Sequence, residues 1–236
     1  MSQCRSLILS MLLPLIFAAQ SQQAQTTTRK VEAFRPVLQT LDETGVRGSI
    51  AFTGGICKLS NLPEFPEFKK VGNDGASPVQ LLREMFAIDP SMRVNQEQDG
   101  TVRMTETDVP SDVLNVKIRE VRFEGPSAYY PNAALERIVL QVPEFKEFIR
   151  EHGIRWPYNL DGGFPALGNP NPPAEWPHLA GSLHDVKLSE ILDYVAQTFP
   201  GVWIYENCPQ TGSEARTVWI HFIHYKHHGS AMLIVE

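Results

Sequence analysis

The sequence lacks an excess of basic residues, and beyond residue 19 it lacks long hydrophobic runs. Its 21 Lys and Arg are outnumbered by 27 Asp and Glu, which gives a formal net charge of −6. Proteins that bind nucleic acids gain most of their affinity from basic patches, so nucleic acid is not an expected partner. No later segment is long and apolar enough to span a membrane. We therefore expect the mature protein to be soluble.

Familiar catalytic signatures are also missing. The chain contains no G-x-S-x-G, no H-E-x-x-H and no phosphate-binding loop. The stretch GNDGAS at residues 72–77 lacks the lysine and the spacing of such a loop, and it fits a capped turn better. The sequence therefore predicts no cofactor and favours a non-catalytic protein, although it does not exclude an enzyme.

The N-terminal residues have the three parts of an export signal. Arg5 precedes an apolar run at residues 7–19, and a small-residue, Gln-rich stretch follows. The run is too short to cross roughly 30 Å of hydrocarbon as a helix, and Ala19 and Ser21 have the spacing that a signal peptidase needs. We expect cleavage after Ser21, with Ala19 as the second choice, and a periplasmic or secreted protein. An uncleaved membrane anchor is the alternative.

The three cysteines allow a single intramolecular disulfide after export. Cys4 lies within the predicted signal, whereas Cys57 and Cys208 would remain in an oxidising compartment. In the loop-entropy model, a bond across so long a loop would stabilise the fold by about 4 to 5 kcal/mol. We predict this disulfide, and two separate buried thiols are the alternative.

The clearest helix is LSEILDYVAQTF at residues 188–199. Its apolar residues recur at helical spacing, and Pro200 and Gly201 end it. VWIY at residues 202–205 and RTVWIHFIHY at residues 216–225 have the composition of strands, and AGSLHDV before the helix is compatible with a leading strand. The predicted order of elements is therefore βαββ.

The first half of the chain has a comparable order. Ser77 is placed to cap a helix that begins at Pro78. SMRVNQ and TVRMTE flank an Asp99-Gly100 turn and predict a hairpin. An offset of 110 residues aligns apolar positions of this region with the second βαββ segment. That alignment is either a faint internal duplication or chance.

The βαββ segment at residues 184–222 resembles the short N-terminal (STN-like) module of secretins and TonB-dependent receptors. In those proteins a small βαββ unit precedes a pore or a barrel. Residues 77–106 share the pattern more weakly. The resemblance implies docking to other exported proteins. It does not imply transport, because no barrel, plug or secretin pattern follows the module within these residues.

The predicted fold class is α+β, with two small βαββ-like units joined by helices and a Pro/Gly/aromatic-rich loop. The connecting helices are PNAALERIVLQV and PEFKEFIREHG. The predicted parts are a signal peptide (1–21), a flexible leader (22–44), a first α+β unit (45–130), a helical connector (131–155), the loop (156–178) and a second βαββ unit (179–236).

The loop at residues 156–178 carries the candidate binding surface. Its proline and glycine content excludes a helix or an interior strand, yet it contains Trp156, Tyr158, Phe164 and Trp176. Exposed aromatic side chains are typical of surfaces that bind a partner or a sugar. The alternative is a loop that packs on its own domain.

Four of the seven histidines occur in HFIHYKHH at residues 221–228. Side chains alternate along a strand, so His221 and His224 cannot share a metal. A turn at residues 226–229 could bring His224, His227 and His228 together, which makes these three the candidate metal ligands. The stretch has no acidic residue to serve as a general base. Solvated histidines at a strand end are the alternative.

Together these features predict an exported, soluble protein-interaction module of the cell envelope or the extracellular space, with exported or envelope proteins as partners. A secreted metal-dependent hydrolase that uses the C-terminal histidines is the first alternative. A carbohydrate-binding module with a glycan partner is the second.

Overall fold

The computed structural model describes residues 35–53, 75–87, 89–156, 176–208, 215–228 and 231–235. The helices are α1 (residues 35–44), α2 (Pro78–Phe86), α3 (Pro126–Tyr129), α4 (Pro131–Gln141), α5 (Pro143–Glu151) and α6 (Leu188–Thr198). The strands are β1 (Gly48–Thr53), β2 (Met92–Gln96), β3 (Val102–Glu106), β4 (Lys117–Arg122), β5 (Ser182–Lys187), β6 (Gly201–Cys208), β7 (Thr217–His228) and β8 (Ala231–Val235). The α+β class is confirmed.

The main sheet has six strands in the order β2-β3-β1-β6-β7-β8. β1 is parallel to both β3 and β6, and the other neighbours are antiparallel. Gly48 of β1 lies where these strands approach closely, because a Cβ there would be 3.0 Å from Met104 Cε and 3.2 Å from Val102 O. Strands from both halves of the chain therefore pair within one sheet.

Two hydrophobic clusters cover the two faces of this sheet. Side chains alternate along a strand, so Val202 and Ile204 of β6 join one cluster, whereas Trp203 and Tyr205 join the other. Helices α1 and α2 pack on the first face, and α4, α5 and α6 contribute to the cluster on the second. We call these the α2 face and the α6 face.

Most of the individually predicted elements are confirmed. The Ser77 side chain accepts a hydrogen bond from Gln80 N and completes a capping box at the start of α2. The β2–β3 hairpin turns at Gly100, which has a left-handed φ of 87°. Helix α6 covers the predicted segment, and the two connecting helices are α4 and α5.

The predicted flexible leader is wrong for residues 35–44. These residues form α1, in which Val37, Leu38 and Leu41 are all 0% exposed. Their spacing of one and three residues places them on one side of a helix, so α1 fills part of the α2 face. Burial of these three side chains explains why the segment is helical.

The strands of the second βαββ unit belong to two different sheets. Its leading strand β5 pairs with β4 in a separate two-stranded sheet, while β7 pairs with β6 and β8. Ile118 and Val121 of β4 are buried in the α6-face cluster, and Leu183 and Val186 of β5 pack against it. The helices aligned by the 110-residue offset, α2 and α6, lie on opposite faces. Within the described ranges, no helix is long and apolar enough to cross a membrane.

Candidate functional site

Four aromatic side chains form a surface beside α3. We define this aromatic surface by Tyr129, Tyr130, Trp176 and His178. Proline opens both α3 and α4, so Tyr129 ends the first helix and Tyr130 lies between the two in an extended conformation (φ −132°, ψ 123°). The helix break therefore places two neighbouring tyrosines at one corner of the fold.

Backbone contacts hold residues 176–180 against this corner. Leu179 N donates to Ala128 O at 2.8 Å. The Tyr194 hydroxyl accepts from Ala180 N at 2.9 Å and donates to Ala180 O at 3.0 Å. Because Leu179 is only 2% exposed, it anchors the segment in the core while its neighbours stay at the surface.

The rings of the aromatic surface meet in two pairs. Trp176 and Tyr130 are 6.4 Å apart between ring centroids and nearly perpendicular, at 84°. Tyr129 and His178 are 5.4 Å apart and tilted by 33°. His178 Nδ1 lies 3.1 Å from Trp176 O, so this nitrogen carries the donated hydrogen. Trp176 is 37% exposed, which is unusual for so large an apolar side chain.

The prediction of a binding surface on the loop has three outcomes. Trp176 lies at the surface. Trp156 does not: it is 7% exposed and packs edge-on against Phe145, with ring centroids 5.4 Å apart and an interplanar angle of 90°. The assignment of Trp156 to the surface is wrong. Arg155 forms a β-bridge with β7, so the chain beside it runs along the core. Tyr158 and Phe164 lie outside the described residues.

Tyr129, Tyr130 and His178 were not predicted as members of the surface. The sequence signal was present in SAYYPN, where two tyrosines precede a proline that opens a helix. What the sequence could not supply was the contact between this segment and residues 176–178. That contact depends on the tertiary fold.

The candidate metal ligands lie on β7. The strand continues through His228, where His227 pairs with Met232 and His228 pairs with Ala231 of β8. The predicted turn at residues 226–229 is therefore wrong for residues 226–228, since adjacent positions of a strand belong to opposite faces. The side chains of His224, His227 and His228 lie outside the described part of the structure. Among the side chains that are described, no group of three His, Cys, Asp or Glu could hold a metal ion.

His221 lies on the α2 face, as strand alternation predicts. Its Nε2 atom is 3.7 Å from Glu206 Oε1, and its ring stacks on Trp219 with centroids 5.7 Å apart and planes 11° apart. Glu206 is 0% exposed. The register explains the contact: His221 lies opposite Ile204, and Glu206 is the next residue of β6 on that face. At 3.7 Å the two atoms lie within ion-pair distance but beyond hydrogen-bond distance.

A first polar network ties α6 to the α6 face of the sheet. Arg103 of β3 donates two hydrogen bonds to the Asp193 carboxylate, and Trp203 Nε1 donates to the same carboxylate at 2.9 Å. Arg103 also donates to Ser49 Oγ at 3.2 Å. The network therefore joins α6 to β1, β3 and β6, and its hydrogen bonds stabilise the fold.

A second network surrounds Arg216. Its guanidinium donates two hydrogen bonds of 2.7 Å to Asp112 and one to Asn207 Oδ1. The hydrogen bonds from Arg216 lower the pKa of Asp112. Burial raises the pKa of Tyr205 to about 12, and its hydroxyl donates to Pro110 O at 3.0 Å. These groups stay in fixed protonation states near neutral pH.

Cys208 is 3% exposed and disulfide-bonded. Cys57 lies outside the described residues. Its pairing with Cys208 stays a prediction.

Comparisons with family models, curated proteins and solved structures found no match to this chain. The resemblance to the STN-like module therefore stays a prediction.

Proposed function

We propose that this protein is an exported, non-catalytic interaction module, and that its aromatic surface binds an extended segment of another exported protein. The observation that carries this proposal is Trp176, which is 37% exposed and held edge-on to Tyr130. Large aromatic side chains supply much of the binding energy at protein interfaces. Exposed aromatic side chains on a surface that is anchored to the core therefore favour binding to another protein.

The ring geometry favours a polypeptide ligand over a sugar. A pyranose ring stacks on an open aromatic face, whereas the perpendicular Trp176–Tyr130 pair forms a corner in which one ring edge meets the other ring face. Such a corner suits a compact apolar side chain. Proline-containing segments in the polyproline II conformation dock on aromatic-lined surfaces of this kind and lose little conformational entropy on binding. We therefore assign a proline-containing extended segment as the ligand.

The pattern of the N-terminal residues supports the choice of an exported partner. Arg5 and the apolar run after it form an export pattern, and an exported protein meets other exported proteins. The resemblance of residues 184–222 to docking modules of the envelope agrees with this assignment.

A pair of binding arrays tests the proposal. Full-length protein, Trp176→Ala and Phe148→Ala would each be applied to an array of proline-containing peptides and to an array of glycans. Phe148→Ala is the matched control, because Phe148 is a partly exposed aromatic residue that stacks on His152 of the α5 end. We expect peptide binding that Trp176→Ala abolishes and Phe148→Ala retains.

Two results would overturn the proposal. Glycan binding that depends on Trp176, without peptide binding, would establish the carbohydrate-binding function instead. Peptide binding that Trp176→Ala leaves unchanged would place the interaction elsewhere on the molecule. Circular dichroism of each variant would verify that its fold is intact.

A further inference from the structure

The β2 edge of the six-stranded sheet carries an inference that is independent of the aromatic surface. In the described part of the chain, β2 pairs with β3 and forms one end of the sheet. An edge strand presents backbone N–H and C=O groups that can pair with another strand. Proteins manage such edges with charged side chains or by covering them.

The hydrogen bonds of the β2–β3 hairpin fix which groups face outward. Glu97 N donates to Thr101 O and Thr107 N donates to Ser91 O, both at 2.9 Å. Hydrogen-bonded and non-hydrogen-bonded pairs alternate along an antiparallel ladder, so the odd-numbered residues of β2 bond to β3. The even-numbered residues direct their backbone groups away from β3. They are Met92, Val94 and Gln96.

Arg83 covers the middle of this outward-facing edge. It lies in the last turn of α2, and its Nε donates to Val94 O at 3.0 Å. Met92 N donates to Asp89 O at 3.1 Å. The Val94 side chain is only 6% exposed, so β2 is held firmly while its outer backbone meets the Arg83 guanidinium. A hydrogen bond from a charged donor is stronger than one between neutral groups.

We propose that Arg83 protects the β2 edge from pairing with the β2 edge of a second copy of this chain. In an antiparallel pairing of two copies centred on Val94, Val94 faces Val94, Arg93 faces Asn95, and Met92 faces Gln96. No like charges face each other, which is what a stable cross-strand arrangement requires. The residues of β2 therefore permit pairing of two copies about a two-fold axis.

Arg83 opposes this pairing because it occupies the central acceptor. In the symmetric pair, each Val94 N–H donates to the Val94 C=O of the other copy, and that carbonyl must first lose its bond to Arg83. Two charged hydrogen bonds are lost for each dimer. Removal of the guanidinium should strengthen self-association by about 10- to 100-fold.

Sedimentation velocity over a concentration series of the full-length protein tests this inference. We expect wild-type protein to remain monomeric where Arg83→Ala forms dimers. Arg83→Met is the second variant, because it keeps an unbranched side chain without the donor. Arg150→Ala is the matched control, since Arg150 is an arginine in the last turn of α5 that lies outside the proposed pairing, and we expect it to behave as wild type. Alanine favours a helix, so Arg83→Ala should fold.

The register is tested by adding Gln96→Pro to Arg83→Ala. Proline at position 96 removes an N–H that faces away from β3, so the hairpin should tolerate it while the dimer should dissociate. Hydrogen exchange of the Val94 and Gln96 amides gives a second measurement, and both should gain protection in Arg83→Ala. A monomeric Arg83→Ala and Arg83→Met, a dimer that persists with Gln96→Pro, or a wild-type dimer as tight as the variant would each overturn the inference.

Discussion

Asp193→Ala should destabilise the fold more than any change of an exposed charge. Asp193 is 9% exposed and accepts hydrogen bonds from Arg103 and from Trp203 Nε1. Without the carboxylate, the Arg103 guanidinium loses the charge that offsets its burial, and the indole N–H loses its acceptor. Both losses act on groups that join α6 to the sheet.

The magnitude follows from the exposure of the pair. Removing one partner of a fully buried ion pair costs about 3 to 5 kcal/mol. The Arg103 side chain is 26% exposed and also contacts Glu97 at 3.2 Å, so solvent and this second carboxylate offset part of the loss. We expect the free energy of unfolding to fall by about 2 to 4 kcal/mol. Asp193→Asn keeps an acceptor for Trp203 and should cost about half as much.

Urea unfolding followed by circular dichroism measures the effect. A double-mutant cycle with Arg103→Met isolates the coupling between the two side chains, which should be about 1 to 3 kcal/mol. Glu147→Ala is the matched control, because it removes an exposed ion pair with Arg150 and should change stability by less than about 0.5 kcal/mol. If Asp193→Ala destabilised the protein no more than Glu147→Ala, the structural role of the network would be refuted.

Three further predictions concern pH and the disulfide. The folded-state pKa of Asp112 lies below its usual value because of Arg216. The contribution of Asp112 to stability is therefore present above about pH 4 and is lost as the pH falls through the folded pKa. Asp112→Asn should flatten the acid limb of a stability–pH curve, and an unchanged limb would contradict this. The raised pKa of Tyr205, about 12, means that stability is lost between about pH 10 and pH 12, and Tyr205→Phe should lack the late step in an ultraviolet titration; a late step that survives in this variant would contradict the assignment. Mass spectrometry of a non-reduced digest should find a peptide that links Cys57 to Cys208, and free thiols at both positions would contradict the predicted pairing.

Local patterns in the sequence were sufficient to predict elements that depend on residues close to one another in the chain. Helix α6 and the β2–β3 hairpin depend on apolar periodicity, on Pro200 and on Gly100, all of which act within a few residues. Helix α1 was missed because its apolar positions follow a polar, Gln/Thr-rich stretch that is typical of a leader. Its burial depends on α2 and on strands far along the chain.

Long-range pairing could not be derived from local pattern. The central contact of the main sheet joins β1 to β6, with Ile50 opposite Ile204, and nothing near either strand specifies the other. The same reason explains the incorrect surface assignment of Trp156. The proline and glycine content of the loop suggested that Trp156 is exposed. Its burial depends instead on packing against Phe145 in a separate helix. Of the two predicted surface residues that the structure describes, Trp176 lies at the surface and Trp156 does not.

The affinity of a proline-containing peptide for the aromatic surface tests the proposed binding function most directly. Isothermal titration would compare wild-type protein, Trp176→Ala, Tyr130→Ala and the double variant, with a peptide selected on the array. Binding should weaken about 10-fold or more for Trp176→Ala, and the two changes should be non-additive, because the rings contact each other. Equal affinity for wild-type protein and Trp176→Ala would contradict the assignment of this surface as the binding site.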